Sequence, residues 1–109
     1  MLILRPSKIK GAGVGVSTTL NIKRGERVTL FSKNERSSLV KTDKPDFFTK
    51  RFCPYDKTRK GYWCPQDFHR MSIGWYINHS KKPNVSPVKW VAIKYIRKGE
   101  ELTTDYRNL

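Results

Sequence analysis

The stretch INHSKKPNV, residues 77–85, carries more polar side chains than this small chain needs for an ordinary turn. It contains two asparagines, a histidine, a serine and a proline between single apolar residues: Asn78, His79, Ser80, Pro83 and Asn84. Each polar group that is buried needs a hydrogen-bond partner, so the stretch cannot fill a core by itself. It predicts either a turn that bonds its own backbone or a cluster of groups that holds a polar ligand.

Size and composition indicate one domain with a single core. The chain has 109 residues, of which 37% are hydrophobic and 12% aromatic, too many for a disordered chain. No apolar run approaches the roughly 20 residues that cross a bilayer, and the N-terminus lacks the apolar segment of a signal peptide. We expect an intracellular protein that is not secreted and does not enter a membrane. In a reducing compartment Cys53 and Cys64 are expected to be free thiols, and two cysteines do not predict a metal site.

The charge of the chain is strongly positive. Lys and Arg number 23 against 9 Asp and Glu, which gives a formal net charge of +14. The excess is spread along the sequence, so it serves either solubility or attraction to a nucleic acid or an acidic protein. No helix-turn-helix, zinc-finger or RNA-binding sheet pattern is visible. The charge therefore predicts nonspecific binding of polyanions, and a location either in the cytoplasm or on chromatin or a nucleoid, depending on the organism.

The pattern along the chain is mainly β, with little helix. Strands are predicted at residues 2–4 (an edge strand), 13–20, 27–31, 88–96 (the longest) and 102–106, with a helical turn at 66–73. The stretches IKRGERVTL (22–30) and IRKGEELTT (96–104) are alike, and each places a glycine at the tight point of a turn before a strand. Residues 32–65, rich in Pro, cations and aromatics, predict an irregular insert on this β-scaffold.

Three motifs occur in a fixed order. KGAGVGVST (10–18) is a Gly-rich loop, GWYINHSKKPNV (74–85) follows the predicted helix, and RKGEELTTDY (97–106) lies almost at the end of the sequence. Their content and order resemble the SET domain, the fold of S-adenosylmethionine-dependent protein-lysine methyltransferases. The Gly-rich loop alone is a weak signal, whereas INHSxxPN followed about fifteen residues later by GEELxxDY is specific. The resemblance covers nearly the whole chain.

The resemblance implies a fold and a cofactor site. The fold would be a SET-type β-clip of short strands with a C-terminal pseudoknot and one short helix, one domain over residues 1–109. Gly13, Val14 and Gly15 match the family's loop for the methionine part of the cofactor, although Gly11-Ala12-Gly13 is another register and a bend in a strand is the simpler alternative. Asn78 and His79 match the pair that contacts S-adenosylmethionine, unless they only bond their own turn. Asn84 is expected to brace the loop.

The resemblance also implies two tyrosines at the reacting groups. Tyr106 matches the catalytic tyrosine, whose hydroxyl orients the target amine and favours its neutral form, and it also matches a position beside the cofactor. The alternative is an exposed tyrosine without a role. Tyr62, in the GYW stretch before the predicted helix, either matches a second tyrosine of the pocket or is an ordinary aromatic.

Some positions depart from the family pattern. The family's Arg is replaced by Trp75, and a Cys that often ligates zinc is replaced by Lys81, which together with the absence of a Cys-rich tail predicts a zinc-free domain. The insert at 32–65, a partner or a second copy must then complete the lysine channel, and we expect a homodimer. Thr104 stands where an aromatic commonly helps to set the number of methyl groups, so that number stays open.

Two functions follow as hypotheses. The first is an S-adenosylmethionine-dependent protein-lysine N-methyltransferase that acts on a protein substrate, such as a histone or another nucleic-acid-associated protein. The second is a non-catalytic basic module with a SET fold that binds nucleic acid or an acidic protein. Retention of Tyr106 together with Asn78 and His79 favours the first, since a purely structural descendant would be free to lose them.

Overall fold

The structure is a computed structural model that describes residues 1–32, 37–65 and 71–109. Contacts divide the chain into two compact units, residues 1–31 with 72–108 and residues 32–71 with 109. The strands are β1 (Leu2–Pro6), β2 (Val14–Thr18), β3 (Ser37–Val40), β4 (Tyr55–Asp56), β5 (Gly61–Pro65), β6 (Asn78–His79), β7 (Val85–Ser86), β8 (Val91–Ala92) and β9 (Glu101–Thr104). One α-helix, α1 (Phe47–Phe52), and 3₁₀ turns at Ile73–Tyr76 and Tyr106–Asn108 complete the described elements. The mainly β fold with one short helix is confirmed.

The first unit is built on a four-stranded sheet in the order β1-β2-β9-β6. β1 pairs antiparallel with β2 from Leu2↔Thr18 to Pro6↔Val14, which confirms the predicted edge strand and places the proline at its last position. β9 runs antiparallel to β2 and parallel to β6. The C-terminal strand therefore lies between the Gly-rich hairpin and the Asn-His segment.

The core of the first unit lies on one face of this sheet. Val16 and Leu102 are register partners on β2 and β9, and both side chains are fully buried. Burying a side chain of this size contributes about 1.5–3 kcal/mol. The next register pair, Ser17↔Glu101, points to the other face because side chains alternate along a strand. Glu101 therefore stands beside the core without entering it. The buried core residues are Val16, Val28, Leu30, Ile77, Val85, Ala92, Ile96 and Leu102.

The two similar stretches of sequence meet in space. Ile22 and Ile96 exchange reciprocal main-chain hydrogen bonds of 2.8 Å. Three residues after each isoleucine, Gly25 and Gly99 have φ of +92° and +90°, a backbone conformation that glycine adopts without steric cost. The predicted glycine turns are confirmed, but only the second continues into a strand, β9.

The second unit contains the predicted insert. Its described strands form a sheet in the order β3-β5-β4. The helix α1 begins after Asp46, whose side chain accepts from the N–H of Thr49 at 2.7 Å, and it ends with Lys50 and Arg51 in its last turn. The sequence predicts an irregular segment here because six residues are too few for a helical periodicity to appear.

Two predicted strands differ from the structure. The strand predicted at 27–31 is wrong, since only an isolated bridge, Arg27↔Val91, forms there. The long strand at 88–96 is also wrong, because Lys89 and Trp90 take φ of +58° and +51° and turn the chain between β7 and β8. Most of the helical turn at 66–73 lies outside the described residues, and the 3₁₀ turn begins at Ile73. Within the described ranges, no helix has the length and apolar character to cross a membrane.

Candidate active site

The polar stretch and the C-terminal motif meet at one short parallel pairing. Asn78 lies opposite Thr103, and His79 lies opposite Thr104. The main-chain N–H of Ser80 extends this pairing by donating to the carbonyl of Thr104 at 3.0 Å. Residues 78–80 and 103–104 therefore lie side by side despite their separation in sequence.

Asn84 stabilises the β6–β9 pairing through its side-chain amide. Its Nδ2 donates to the Glu101 carbonyl at 2.8 Å, and its Oδ1 accepts from the N–H of Thr103 at 2.8 Å. The side chain is buried, so both of its polar ends satisfy main-chain groups of β9 that would otherwise be costly to bury. The structure thus shows Asn84 in the predicted bracing role.

Asn78 connects all three motifs. Its Nδ2 donates to the carbonyl of Val14 in the Gly-rich loop at 2.9 Å and to Oε2 of Glu101 in the C-terminal motif at 3.0 Å. A side-chain amide has two N–H donors, so both are used inside the protein. Among the described residues none donates to Oδ1 of Asn78, and none of their buried side-chain oxygens lacks a partner. Oδ1 is therefore an accessible acceptor, available to a ligand.

The Gly-rich loop comes close to Asn78 because it carries no side chain at the contact. A Cβ added to Gly15 would lie 2.9 Å from Nδ2 of Asn78 and would collide with the Glu101 carboxylate. Gly13 has φ of +75°, and the space beside it is open within 4 Å. Val14 and Gly15 are the loop residues that contact Asn78, which favours the Gly13-Val14-Gly15 register over Gly11-Ala12-Gly13.

His79 and Tyr106 form the second half of the site. The main-chain N–H of Tyr106 donates to Nδ1 of His79 at 3.0 Å, and the two ring centroids are 5.3 Å apart. The hydroxyl of Tyr106 donates to the carbonyl of Ile77, while its oxygen keeps lone pairs that can accept another hydrogen bond. Burial raises the pKa of Tyr106, so the hydroxyl stays neutral at ordinary pH.

An ion pair fixes the chain on either side of Tyr106. The Arg107 guanidinium donates from Nε to Oδ1 of Asp105 at 2.9 Å and from Nη2 to Oδ2 at 2.5 Å. These charge-assisted bonds, together with the Arg107 main-chain N–H, hold the pKa of Asp105 well below its ordinary value. Nδ1 of His79 lies 3.8 Å from the same carboxylate.

Other residues singled out from the sequence have different surroundings. Tyr62 lies in the second unit on β5, where its ring packs edge-to-face on Tyr55 at 5.0 Å, so its place in a pocket stays a prediction. Thr104 is fully buried and its hydroxyl donates to the Val85 carbonyl at 2.8 Å. Trp75 packs edge-on against Phe31 at 6.0 Å between ring centroids.

Glu101 is a site residue that the sequence alone did not indicate. Its carboxylate accepts from the Ser7 hydroxyl at 2.8 Å, from the Lys8 N–H at 3.3 Å and from Asn78 at 3.0 Å. The sequence signal was the second glutamate of GEEL, which could be assigned to a turn as easily as to a site. Its partner Ser7 lies 94 residues away, too far for any local pattern.

A basic cleft lies on the same unit. Its volume is about 630 Å³, and it is lined by Arg5, Pro6, Lys8, Ser17, Arg97, Lys98, Gly99, Glu100 and Glu101. The Glu100 carboxylate accepts from the Arg97 main-chain N–H at 3.2 Å. Across the described parts of the chain, none of the four cationic side chains of the cleft forms an ion pair. In the same described parts of the chain, no group of three or more His, Cys, Asp or Glu side chains could hold a metal ion.

Residues 13–107 match the family model of the SET domain. The chain belongs to the SET-domain family. The matched range contains the Gly13 loop, the Asn78-His79 pair and Tyr106. No curated protein matches the sequence significantly.

Solved structures share the fold of this SET domain. A humanized mutant of the Chaetomium thermophilum Polycomb Repressive Complex 2 bound to an inhibitor is similar over 100% of this chain and 15% of its own, with 25% identity and a TM-score of 0.69. ctPRC2 in an autoinhibited conformation bound to S-adenosylmethionine is similar over 99% of this chain and 15% of its own, at 24% identity and a TM-score of 0.66. The methyltransferase domain of human PR domain-containing protein 2 is similar over 94% of this chain and 74% of its own, at 20% identity and a TM-score of 0.58.

Proposed function

We propose that this SET domain is an S-adenosylmethionine-dependent protein-lysine N-methyltransferase. The observation that carries the proposal is the joining of the three family motifs at Asn78, beside a neutral tyrosine that is fixed by the same segment. Membership of the SET family and the fold shared with methyltransferase domains support it.

The residues present fit the methionine part of the cofactor. Asn78 offers a free acceptor in Oδ1, which suits the ammonium group of an amino acid. The open space at Gly13 allows a ligand to approach the main chain closely. The Glu101 carboxylate accepts from Nδ2 of Asn78 at 3.0 Å, on the side of the amide away from this free acceptor. When bound, the cofactor supplies a methyl group on a sulfonium sulfur.

Tyr106 would act on the lysine rather than as a nucleophile. Its hydroxyl hydrogen is engaged by the Ile77 carbonyl, so its oxygen can accept from one N–H of the target amine and hold the nitrogen lone pair toward the methyl group. The cofactor, held at Asn78 and the Gly13 loop, would supply this methyl group to Nζ of the lysine, and the electron pair of the sulfur–methyl bond would stay on sulfur. The amine must be neutral beforehand, and its proton leaves to solvent. Tyr106 therefore orients the target amine by accepting a hydrogen bond from it, and it carries no permanent charge.

The charge of the protein limits the substrates that it meets efficiently. A chain of formal net charge +14 repels a free basic peptide and is attracted to a nucleic acid. We therefore propose a substrate that is itself bound to nucleic acid, such as a histone or another basic protein, and a location in the cytoplasm or on chromatin or a nucleoid. Methylation of one basic protein, free and bound to DNA, tests this across a salt series. Equal rates on both forms at every salt concentration would contradict it.

A homodimer is proposed as the active unit. Phe47 and Phe52 are 71% and 55% exposed, so the insert leaves apolar aromatic surface that a second copy would cover. Sedimentation of the active protein tests the proposal, and full activity in a strictly monomeric sample would contradict it.

The second candidate function is a basic module that binds nucleic acid without turnover. The four unpaired cations of the basic cleft favour it, because phosphate binding requires clustered positive charge and no catalytic group. Calorimetry with S-adenosylmethionine distinguishes the two functions. Cofactor binding together with methyl transfer to protein lysines supports the enzyme, whereas nucleic-acid binding without cofactor binding supports the module.

A further inference from the structure

Glu101 is a carboxylate that neutral groups, not cations, hold in place. Its oxygens accept from the Ser7 hydroxyl at 2.8 Å and 3.0 Å, from the main-chain N–H of Lys8 and from Nδ2 of Asn78. Among the described residues it takes part in no ion pair. At the junction of β2, β6 and β9 the carboxylate is therefore positioned by hydrogen bonds alone.

This carboxylate determines which way the Asn78 amide faces. A carboxylate accepts hydrogen bonds and cannot donate them, and the same holds for the Val14 carbonyl on the other side. With two acceptors as neighbours, the NH₂ end of Asn78 must face inward, toward Val14 and Glu101. The Oδ1 end is thereby left for a ligand. Val14 alone would favour this orientation, but Glu101 adds a charge-assisted bond, about twice as strong as a neutral one.

We propose that Glu101 is a positioning residue for the cofactor: it fixes the Asn78 amide with Oδ1 outward, so that Asn78 accepts from the ammonium group of S-adenosylmethionine. The role rests on the proposed function, and it is exercised through Asn78 rather than by contact with the reacting atoms. This arrangement also requires Gly15, because any side chain at that position would displace the Glu101 carboxylate.

The variant Glu101→Gln isolates this role. Glutamine can still accept from Ser7 and Lys8 through its oxygen, but its NH₂ group then faces the NH₂ group of Asn78. Two donors cannot bond, so Asn78 must either give up this hydrogen bond or turn its amide, which leaves the Val14 carbonyl without its partner. We expect the affinity for S-adenosylmethionine to fall about tenfold, with the fold retained. Glu100→Gln, which removes the same charge from the neighbouring position, is the matched control and is expected to bind within about twofold of the wild type.

The orientation can be read without any cofactor. In a ¹⁵N spectrum, the two side-chain N–H protons of Asn78 are expected to be protected from exchange in the wild type and in Glu100→Gln, and exposed in Glu101→Gln. If Glu101→Gln does not fold, Glu101→Asp replaces it, since a carboxylate that is one methylene shorter withdraws from Nδ2 without loss of charge. Unchanged protection and unchanged affinity in the folded variant would overturn the proposal.

A comparison of two ligands separates positioning of Asn78 from direct attraction between the Glu101 carboxylate and the sulfonium. S-adenosylhomocysteine has the same ammonium group but lacks the positive sulfonium. A positioning role predicts that Glu101→Gln weakens both ligands by the same factor, whereas attraction to the sulfonium predicts a larger loss for S-adenosylmethionine and would overturn the role. If the wild type binds neither ligand, the proposed function fails. If the wild type binds and Glu101→Gln binds equally well, only the role of Glu101 fails.

Discussion

The main-chain N–H of Tyr106 donates to Nδ1 of His79 at 3.0 Å across 27 residues of sequence. Because Nδ1 is the acceptor, the neutral imidazole carries its proton on Nε2. The hydroxyl of the same tyrosine donates to the carbonyl of Ile77, two residues before His79. Tyr106 is therefore held at both its main chain and its side chain by the Asn-His segment, and the orientation of its ring depends on that segment.

Removal of the Tyr106 hydroxyl is expected to reduce turnover and to spare the cofactor. Tyr106→Phe should lower the methylation rate by about tenfold to several-hundredfold, because the amine no longer has its orienting acceptor. Binding of S-adenosylmethionine, measured by calorimetry, should change little. Tyr95→Phe is the matched control, since Tyr95 is 49% exposed and lies outside the site. An unchanged rate in Tyr106→Phe would remove this residue from the mechanism.

The two asparagines of the polar stretch are expected to separate into different roles. Asn78→Ala should weaken cofactor binding by about 1–3 kcal/mol, because the ammonium group of the ligand loses its acceptor. Asn84→Ala should instead lower the free energy of unfolding by about 1–3 kcal/mol, because the main-chain groups of Glu101 and Thr103 lose their buried partners. Calorimetry and chemical denaturation measure the two quantities. A collapse of stability in Asn78→Ala with unchanged affinity would contradict its binding role.

Stability is expected to fall when Asp105 takes up a proton. Hydrogen bonds from Arg107 hold the folded-state pKa of Asp105 below the ordinary value of 3.8. Between the folded-state and unfolded-state pKa values the unfolded chain binds more protons than the folded chain, so the contribution is complete above about pH 4 and is lost as the pH falls. Asp105→Asn should therefore flatten the loss of stability in acid. Asp43→Asn, at an exposed position outside this cluster, is the control and should leave the slope unchanged.

Asp56 acts in the same direction and must be considered in that measurement. Hydrogen bonds from the Arg59 main chain and the Trp63 indole lower its pKa to about 2. Asp56→Asn should also flatten the acid limb, and the two variants together should flatten it further. If Asp105→Asn alone leaves the acid limb of the wild type unchanged, the ion pair with Arg107 does not contribute to stability.

The basic cleft is expected to bind the phosphates of nucleic acid. Replacing Arg5, Lys8, Arg97 and Lys98 by Gln should weaken binding of random-sequence duplex DNA and reduce the salt dependence of the affinity, by about 0.9 in the logarithmic slope for each phosphate that the protein no longer neutralises. A control that replaces the exposed Lys41, Lys44, Lys57 and Lys94 removes the same charge elsewhere. Equal weakening in both variants would show that only total charge matters.

The sequence determined the motifs, their order and the residue types that the site requires. Asn78, His79 and Tyr106 could be chosen as candidates because INHSxxPN and GEELxxDY at this spacing are specific, and the glycine turns at Gly25 and Gly99 followed from local chemistry. Strand β1 was predicted because its apolar run and its proline act within a few residues. Such features depend on neighbours in sequence, which a single chain displays directly.

Only the tertiary structure decided how those residues are connected. The turn at Lys89 and Trp90 broke a run that alternated like a strand, because β8 pairs with β7 across that turn. Thr104 stands where an aromatic commonly helps to set the number of methyl groups, and the structure shows it fully buried with its hydroxyl bonded to the Val85 carbonyl. Glu101 became part of the site through Ser7 and Asn78, which lie 94 and 23 residues away. Pairings between distant segments depend on packing and on the satisfaction of buried polar groups, and no local pattern in the sequence contains that information.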